Sequence, residues 1–381
     1  MEAFDVVIIG AGLAGLQCAR LLGKQGQRVL LADRKTSLDQ KVHTTGIFVR
    51  RTLQDFDLPE DCLGPTIRRV RLYSPKHRVL HLESEHDEYR IGKMARLYQR
   101  YLNQCVHSGV EWFPGATYVD SFERDEGSIV RLKLGNTTHS IKTRLLIGAD
   151  GACSRVAADL QLDMNREWIV GVEDVYSGAS LDGGPQLLCF LNPKLAPGYI
   201  GWIAYDGDDA HVGIGGYPNR FDPSSALEEF QRCVWGILDL QMATRLERRG
   251  GRIPVGGVLK RIANNRGLLI GDAAGAVSPL TAGGLDPCMR LSALAAKVSS
   301  AYLSTGNACV LTRYSGKAFR SKFTSRLWAR RIASSVRSPA LAEIMCGLMR
   351  LPGLSRLAGR VFFGSGSFPD GEPDLLCPIE F

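Results

Sequence analysis

The N-terminal segment constrains this chain more than any other part of it. Asp5-Val-Val-Ile-Ile9 is an unbroken apolar run, the pattern of a strand buried on both faces of a parallel sheet. It ends at Gly10-Ala-Gly12-Leu-Ala-Gly15. Residues 13 to 24 then read as a helix, and Arg28-Val-Leu-Leu-Ala32 as a second strand with Asp33 behind it. Strand, glycine turn, helix, strand and acid in that order describe a β-α-β unit shaped for a dinucleotide. The three glycines serve different ends. Gly10 permits the tight turn, Gly12 lets backbone approach a pyrophosphate, and Gly15 lets the helix lie close on the strand. The helix start, with Leu13 and Ala14, offers free N–H groups to phosphates, while Asp33, beside Arg34, can accept hydrogen bonds from a ribose diol.

Later segments place this unit in a larger α/β protein with an α+β insertion. Residues 68 to 73 and 78 to 83 alternate around Ser74-Pro75-Lys76-His77 and predict a hairpin. A helix over 95 to 107 follows and carries Arg96, a further cofactor-binding candidate. Segments 116 to 123, 128 to 134 and 138 to 142 predict a meander leading into a separate buried strand, residues 145 to 149. Strands and turns fill 169 to 217, and 223 to 250 reads as helix. Gly267-Leu-Leu-Ile-Gly271 returns to the buried-strand pattern, and a long helix begins near Leu285. The expected organisation is a discontinuous Rossmann-type domain (1–63, 92–164 and 254–336), a β-sheet substrate domain (64–91 and 165–253) and a C-terminal helical segment (337–381).

Two further motifs decide which dinucleotide is expected. Asp150-Gly151 follows the strand at 145 to 149 and carries Ser154 behind it. Gly271-Asp272-Ala273-Ala274 follows the next apolar strand, and Pro279-Leu-Thr-Ala-Gly-Gly-Leu285 opens a helix. Together these motifs resemble the FAD-dependent aromatic hydroxylase (p-hydroxybenzoate hydroxylase-like) superfamily, which includes the geranylgeranyl reductases. The resemblance implies FAD as cofactor, Asp272 on its ribityl chain, and the loop through Pro279, Gly283, Gly284 and Leu285 against the flavin. A helix start aimed at a reduced flavin stabilises its negative charge. Asp272 as an ordinary helix-start residue is the plainer alternative.

Within the superfamily the sequence leans towards the geranylgeranyl reductase-like branch. Ala157 stands where hydroxylases place an arginine. Pro279 to Leu285 with Met289-Arg290, and Pro197-Gly-Tyr-Ile-Gly-Trp202, are similar to that branch's loop and substrate motif, although Tyr199 is one residue further from Trp202 and Ala204-Tyr205 replaces Phe-Pro. Lys41-Val-His43-Thr-Thr-Gly46 takes the place of a Lys-Pro-Cys-Gly-Gly run, with His43 in the cysteine position. Histidine titrates near neutrality and can serve as a general acid; a structural histidine is the other reading. Thr45, Tyr199 and Trp202 are the substrate-binding candidates, the two aromatics reading either as walls of an apolar tunnel or as a pair within a sheet core.

The resulting expectation is an FAD-dependent oxidoreductase. Reduced flavin would deliver hydride to an isolated carbon–carbon double bond of a polyprenyl or other hydrophobic substrate, with a proton reaching the second carbon. The competing expectations are a monooxygenase hydroxylating an aromatic or polyketide-like substrate, the reverse desaturation, and a flavin electron carrier without substrate chemistry. That last class carries a cysteine cluster near its C-terminus, where this chain has Cys346 and Cys377. The single GxGxxG is assigned to FAD, so NAD(P)H would dock transiently or a ferredoxin would supply electrons. None of the ten cysteines lies within three residues of another, which removes CxxC redox and zinc motifs, and no metal is expected.

The net charge of +8 is concentrated in Arg313, Lys317, Arg320, Lys322, Arg326, Arg330, Arg331 and Arg337. This run is either a solvated helix face or a site for an anionic surface; without interleaved aromatics, nucleic acid is not expected. The apolar, Arg-dotted stretch Ala340 to Phe363 reads as an interfacial helix pair or as packing over the substrate domain. No 18-residue apolar window predicts a membrane span, and the strand starting at Asp5 leaves no room for a signal peptide. The expected location is the cytoplasm or the cytoplasmic face of a membrane.

Overall fold

The computed structural model describes residues 2–39, 42–125, 127–321 and 323–364. The β-α-β unit forms as strand Ala3–Ile9, helix Leu13–Lys24 and strand Val29–Asp33. Its strands pair in parallel, Val6 opposite Val29 and Ile9 opposite Ala32. Strand Glu111–Pro114 extends the sheet on the outer side and Thr137–Gly148 on the inner. Val6, Val7, Ile8, Leu31 and Leu145 to Ile147 have no appreciable exposure, because helices cover both faces of such a sheet.

The meander and the buried strand after it are one element. Thr137–Gly148 pairs antiparallel with Gly127–Leu134 through its first half, then parallel with Ala3–Ile9 and Gly267–Leu269 through its second. The change from alternating to continuous apolar residues marks where the strand becomes covered on both faces, and the chain does not break there.

The second sheet has seven strands in the order Thr244–Pro254, Trp168–Ser177, Asp209–Gly216, Gly201–Tyr205, Gln186–Phe190, Arg69–Tyr73, Val79–Glu83. Here the expected helix over 223 to 250 is corrected. Pro223–Val234 is helical, with Asp222 capping its N-terminus, but Thr244–Pro254 is an edge strand along Trp168–Ser177. The Arg- and Glu-rich segment has helix-forming composition, yet pairing and the bidentate Arg248–Asp174 contact (2.7 and 2.9 Å) decide its structure. Residues 64–91, expected as one excursion, divide between two sheets: Leu63–Ile67 and Tyr89–Gly92 join Ile47–Val49 in a three-stranded sheet.

The C-terminal part is helical: Thr324–Ser335, Pro339–Leu348 and Pro352–Phe363. Among the described residues no helix is long and apolar enough to cross a membrane, and no group of three or more His, Cys, Asp or Glu could hold a metal. Lys41, Lys322 and residues 365–381, including Cys377, lie outside the described residues.

Candidate active site

A single cavity of about 1530 Å³ runs from the glycine turn to the second sheet. That exceeds the ~300–1,000 Å³ of an ordinary small-molecule site, which leaves room for an extended dinucleotide and a second ligand. It is lined by Gly10, Gly12, Leu13, Ala14, Asp33 and Arg34 from the N-terminal unit, Asp150, Gly271 and Asp272 from the other strand ends, Gly283, Gly284 and Leu285 from the later loop, and His43, Thr45, Tyr199 and Trp202. Segments far apart in sequence converge because parallel strands deliver their C-terminal ends to one side of a sheet.

The turn is shaped by close approach. A Cβ on Gly10, where φ is +106°, would lie 2.2 Å from the Ala149 carbonyl oxygen, and one on Gly15 would lie 1.9 Å from the Gly10 oxygen. One on Gly12 would meet nothing within 4 Å, so this position faces open cavity. The helix Leu13–Lys24 has no side-chain cap, leaving first-turn N–H groups free for an anion. Asp33 braces the turn by accepting the Ala11 N–H at 2.7 Å and the Lys35 N–H at 2.8 Å.

Three expected cofactor residues do not line the cavity. Gly15 acts within the fold, by the close approach just described. Arg96 pairs with Asp61 at 2.7 Å and lines a separate shallow groove with Gln99 and Arg100; the carboxylate holds it there. Pro279 presents only its carbonyl to Arg330, at 3.2 Å, and so supports the loop from behind. Asp150 reaches the cavity, but its carboxylate accepts the Ser154 hydroxyl (2.6 Å) and the Arg155 and Val156 N–H groups (2.7 and 3.2 Å), closing the start of helix Arg155–Asp159.

Asp272 is different. Burial pushes its carboxyl up to about 6, and nothing among the described residues donates to it, although its own main-chain carbonyl accepts from Asn165 Nδ2 at 2.8 Å. A sunken carboxylate without a donor, open to a cavity, is matched to a ligand carrying hydroxyl groups. A flavin's ribityl chain supplies such groups; the bare glycine turn and uncapped helix start fit its pyrophosphate.

Beyond these residues the cavity becomes apolar. Tyr199 and Trp202 are half-buried, with ring centroids 6.2 Å apart and planes at 69°. Both rest on glycines: a Cβ on Gly213 would lie 2.3 Å from the Trp202 ring and one on Gly215 would lie 2.9 Å from Tyr199. They therefore line the cavity instead of filling a sheet core. The Tyr199 hydroxyl donates to the Thr281 carbonyl at 2.7 Å, tying this wall to the later loop. Met345, Cys346, Met349, Ala358 and Phe362 from the C-terminal helices line the same cavity, so those helices cover its apolar arm. Leu341, Ile344, Leu348, Leu351 and Leu354 are exposed on them.

His43 stands at the junction of the two regions. Burial lowers its pKa, Lys35, Arg34 and Arg249 lower it further, and a hydrogen bond to the Gly250 main chain partly offsets them. Beneath it lies a group of residues that pattern reading missed. Glu173 accepts from the Thr45 hydroxyl (2.6 Å) and the Trp202 indole (3.1 Å), and faces His211 Nδ1 and Arg249 Nη1, each at 3.5 Å. Burial raises the Glu173 carboxyl, but His211, Thr45 and Arg249 outweigh it and hold the group below the usual range. An acid inside the apolar strand Trp168-Ile-Val-Gly-Val-Glu173 was the available signal; Arg249 was hidden in the misassigned helix.

Fold and cavity together define a flavoprotein oxidoreductase, with a Rossmann-type nucleotide unit opening onto a sheet-walled apolar chamber. The chain belongs to the FAD binding domain family, which it matches over residues 3–327. It is 27% identical over 356 residues to digeranylgeranylglycerophospholipid reductase 1 of Methanopyrus kandleri, covering 90% of this chain and 93% of that one. The corresponding reductase 1 of Methanococcoides burtonii is 25% identical over 340 residues, 86% of this chain and 82% of the relative. Among solved structures, a geranylgeranyl bacteriochlorophyll reductase-like protein from Thermoplasma acidophilum superposes with a TM-score of 0.83 at 17% identity, covering 96% of this chain and 98% of that one. A p-nitrophenol 4-monooxygenase from Pseudomonas putida gives 0.73 at 16% identity, covering 95% and 98%.

Proposed function

We propose that this protein reduces isolated carbon–carbon double bonds of a polyprenyl or similarly hydrophobic lipid. The observation that carries the reading is the continuity of the cavity: the dinucleotide region opens directly into an apolar arm walled by Tyr199, Trp202 and the C-terminal helices. The names of its reductase relatives support it. FAD, when bound and reduced, supplies the hydride. Gly12, the free N–H groups at Leu13 and Ala14, Asp33, Asp272 and the loop through Gly283 and Gly284 hold and orient the cofactor. Tyr199 and Trp202, fixed on their glycines, hold the alkene, and the covering helices exclude water, since orientation in a dry pocket must supply much of the acceleration for an unactivated bond. His43, lining the cavity beside Thr45, delivers the proton to the second carbon.

Electrons come from NAD(P)H or a ferredoxin, and the exposed leucines of Pro339–Leu348 and Pro352–Phe363 with Arg350, Arg356 and Arg360 seat the protein on the cytoplasmic face of a membrane. The test is anaerobic incubation of the chemically reduced, flavin-loaded protein with geranylgeranyl lipids. A product two hydrogens heavier is expected. Absence of any mass change across several prenyl substrates, with a hydroxylated product formed from an aromatic compound once oxygen is admitted, would replace this reading with that of a monooxygenase.

A further inference from the structure

The geometry assigns to Glu173 a positioning role: we infer that its buried carboxylate locks the His43–Thr45 turn and the Trp202 indole into one fixed arrangement across the cavity. This rests on the reading above for its consequence in turnover, but its physical content is independent. Three consecutive residues of the turn are held by three different groups of the second sheet. The His43 ring is bonded to the Gly250 main chain, the Thr44 carbonyl accepts from Arg249 Nη1 at 2.8 Å, and the Thr45 hydroxyl donates to Glu173 Oε2 at 2.6 Å. Within the turn, the Gly46 N–H donates to the Thr44 hydroxyl at 3.2 Å. The turn's geometry is thus imposed largely from strands Trp168–Ser177 and Thr244–Pro254.

Glu173 connects both halves of this clamp. The oxygen that receives Thr45 also receives the Trp202 indole N–H, and Trp202 cannot retreat because Gly213 lies directly beneath its ring. The other oxygen faces Arg249 and His211. With 4% exposure, the carboxylate is almost withdrawn from solvent, so a lost partner leaves a buried charge poorly compensated. The charged and titratable groups around His43 are Lys35, Arg34 and Arg249, and two anions are set against Arg249: Glu247, whose Oε1 accepts from Arg249 Nε at 2.9 Å, and Glu173, at 3.5 Å from Nη1. Removing the Glu173 charge leaves the guanidinium facing His43 balanced by Glu247 alone, which disfavours the imidazolium.

The test compares wild type, Glu173→Gln, Glu173→Asp and Thr45→Val as flavin-loaded proteins, reading the His43 ring titration by NMR without substrate and the pH profile of turnover with a prenyl lipid. In Glu173→Gln the His43 midpoint is expected to fall by at least half a pH unit with flavin retained. Turnover at pH 7 should drop more than tenfold, with the descending limb on the alkaline side displaced to lower pH in parallel; Glu173→Asp should restore part of both, and in a His43→Gln background Glu173→Gln should cost less than it does in the wild type. An unmoved His43 midpoint in Glu173→Gln overturns the inference. If that variant does not fold, an unchanged chemical shift and midpoint of His43 in Thr45→Val overturns it instead. If the wild type reduces no prenyl lipid the functional reading fails, while the titration still decides the role of Glu173.

Discussion

Asp272→Asn should stabilise the flavin-free protein while weakening its hold on flavin. The carboxyl is raised from 3.8 to about 6 by burial alone, roughly two pH units at about 1.4 kcal/mol each, or about 3 kcal/mol. The unfolded chain ionises near 3.8 and the folded one near 6. Below pH ~4 both forms are protonated and nothing is lost; the cost grows between 4 and 6 and is complete above 6. Asparagine carries no charge, so the variant gains up to about 3 kcal/mol at pH 8, less whatever water in the open cavity already restores, and only about 1 kcal/mol near pH 4.5. With an unfolding entropy of ~2.1 cal/mol/K per residue over this chain, that gain is at most about 4 °C in Tm. The Asn165 bond to the main-chain carbonyl of residue 272 does not depend on the side chain and should keep the loop in place. With flavin bound, losing a charge-assisted bond to a hydroxyl costs ~1.5–3 kcal/mol, a roughly 10- to 150-fold weaker Kd. Thermal melts of the deflavinated proteins at the two pH values, with flavin titrations by fluorescence quenching, measure both sides. A deflavinated variant less stable than wild type at pH 8, or one whose gain is the same at both pH values, refutes the reasoning.

Other outcomes follow from the same contacts. Gly12→Ala should melt like wild type but bind flavin at least tenfold more weakly, whereas Gly10→Ala, with its Cβ 2.2 Å from a carbonyl oxygen at φ +106°, should lose several kcal/mol of stability; expression and melting separate them. Turnover should decline as pH rises through a value below 6.5, because the proton-bearing form of His43 is depleted there; a profile rising with pH across that range would remove His43 as the acid. Gly213→Ala should displace Trp202 and cut turnover at least tenfold with little change in bound flavin, measured by absorbance and product mass. Ile344→Glu with Leu348→Glu should lower co-sedimentation with anionic vesicles several-fold, and unchanged sedimentation would dismiss the membrane seat.

What the sequence made legible was mostly backbone. The turn at Gly10–Gly15, the buried strands and the helix at Leu285 follow from steric demands and apolar periodicity, which act over a few neighbouring residues. Positions that depend on a distant partner were not legible. Thr244–Pro254 has helix-forming residues and becomes a strand because Trp168–Ser177 offers it hydrogen bonds. Arg96 fits a cofactor site by charge, yet Asp61 holds it elsewhere. Glu173 is separated by 128 positions from Thr45 and by 76 from Arg249, so no local spacing could reveal the clamp.

The cavity's two regions place opposite demands on the chain, and the turn at His43 lies where they meet. The dinucleotide region works by exposing polar backbone and an unpartnered carboxylate, features costly to the empty protein and relieved by a ligand. The apolar arm works by rigidity, its aromatics seated on glycines and its roof made of helices. If His43 is the proton donor proposed above, it must be charged part of the time although its surroundings disfavour charge, so its position cannot be left to packing alone. Anchoring three successive residues of that turn from the opposite sheet meets this demand: the second sheet supplies both the aromatic wall and the frame for His43, so a shift of one carries the other with it. Substitutions on the buried edge around Glu173 and Arg249 should therefore change turnover more than substitutions of equal size along the apolar arm, and a scan of both sets with product mass as readout would expose the reverse.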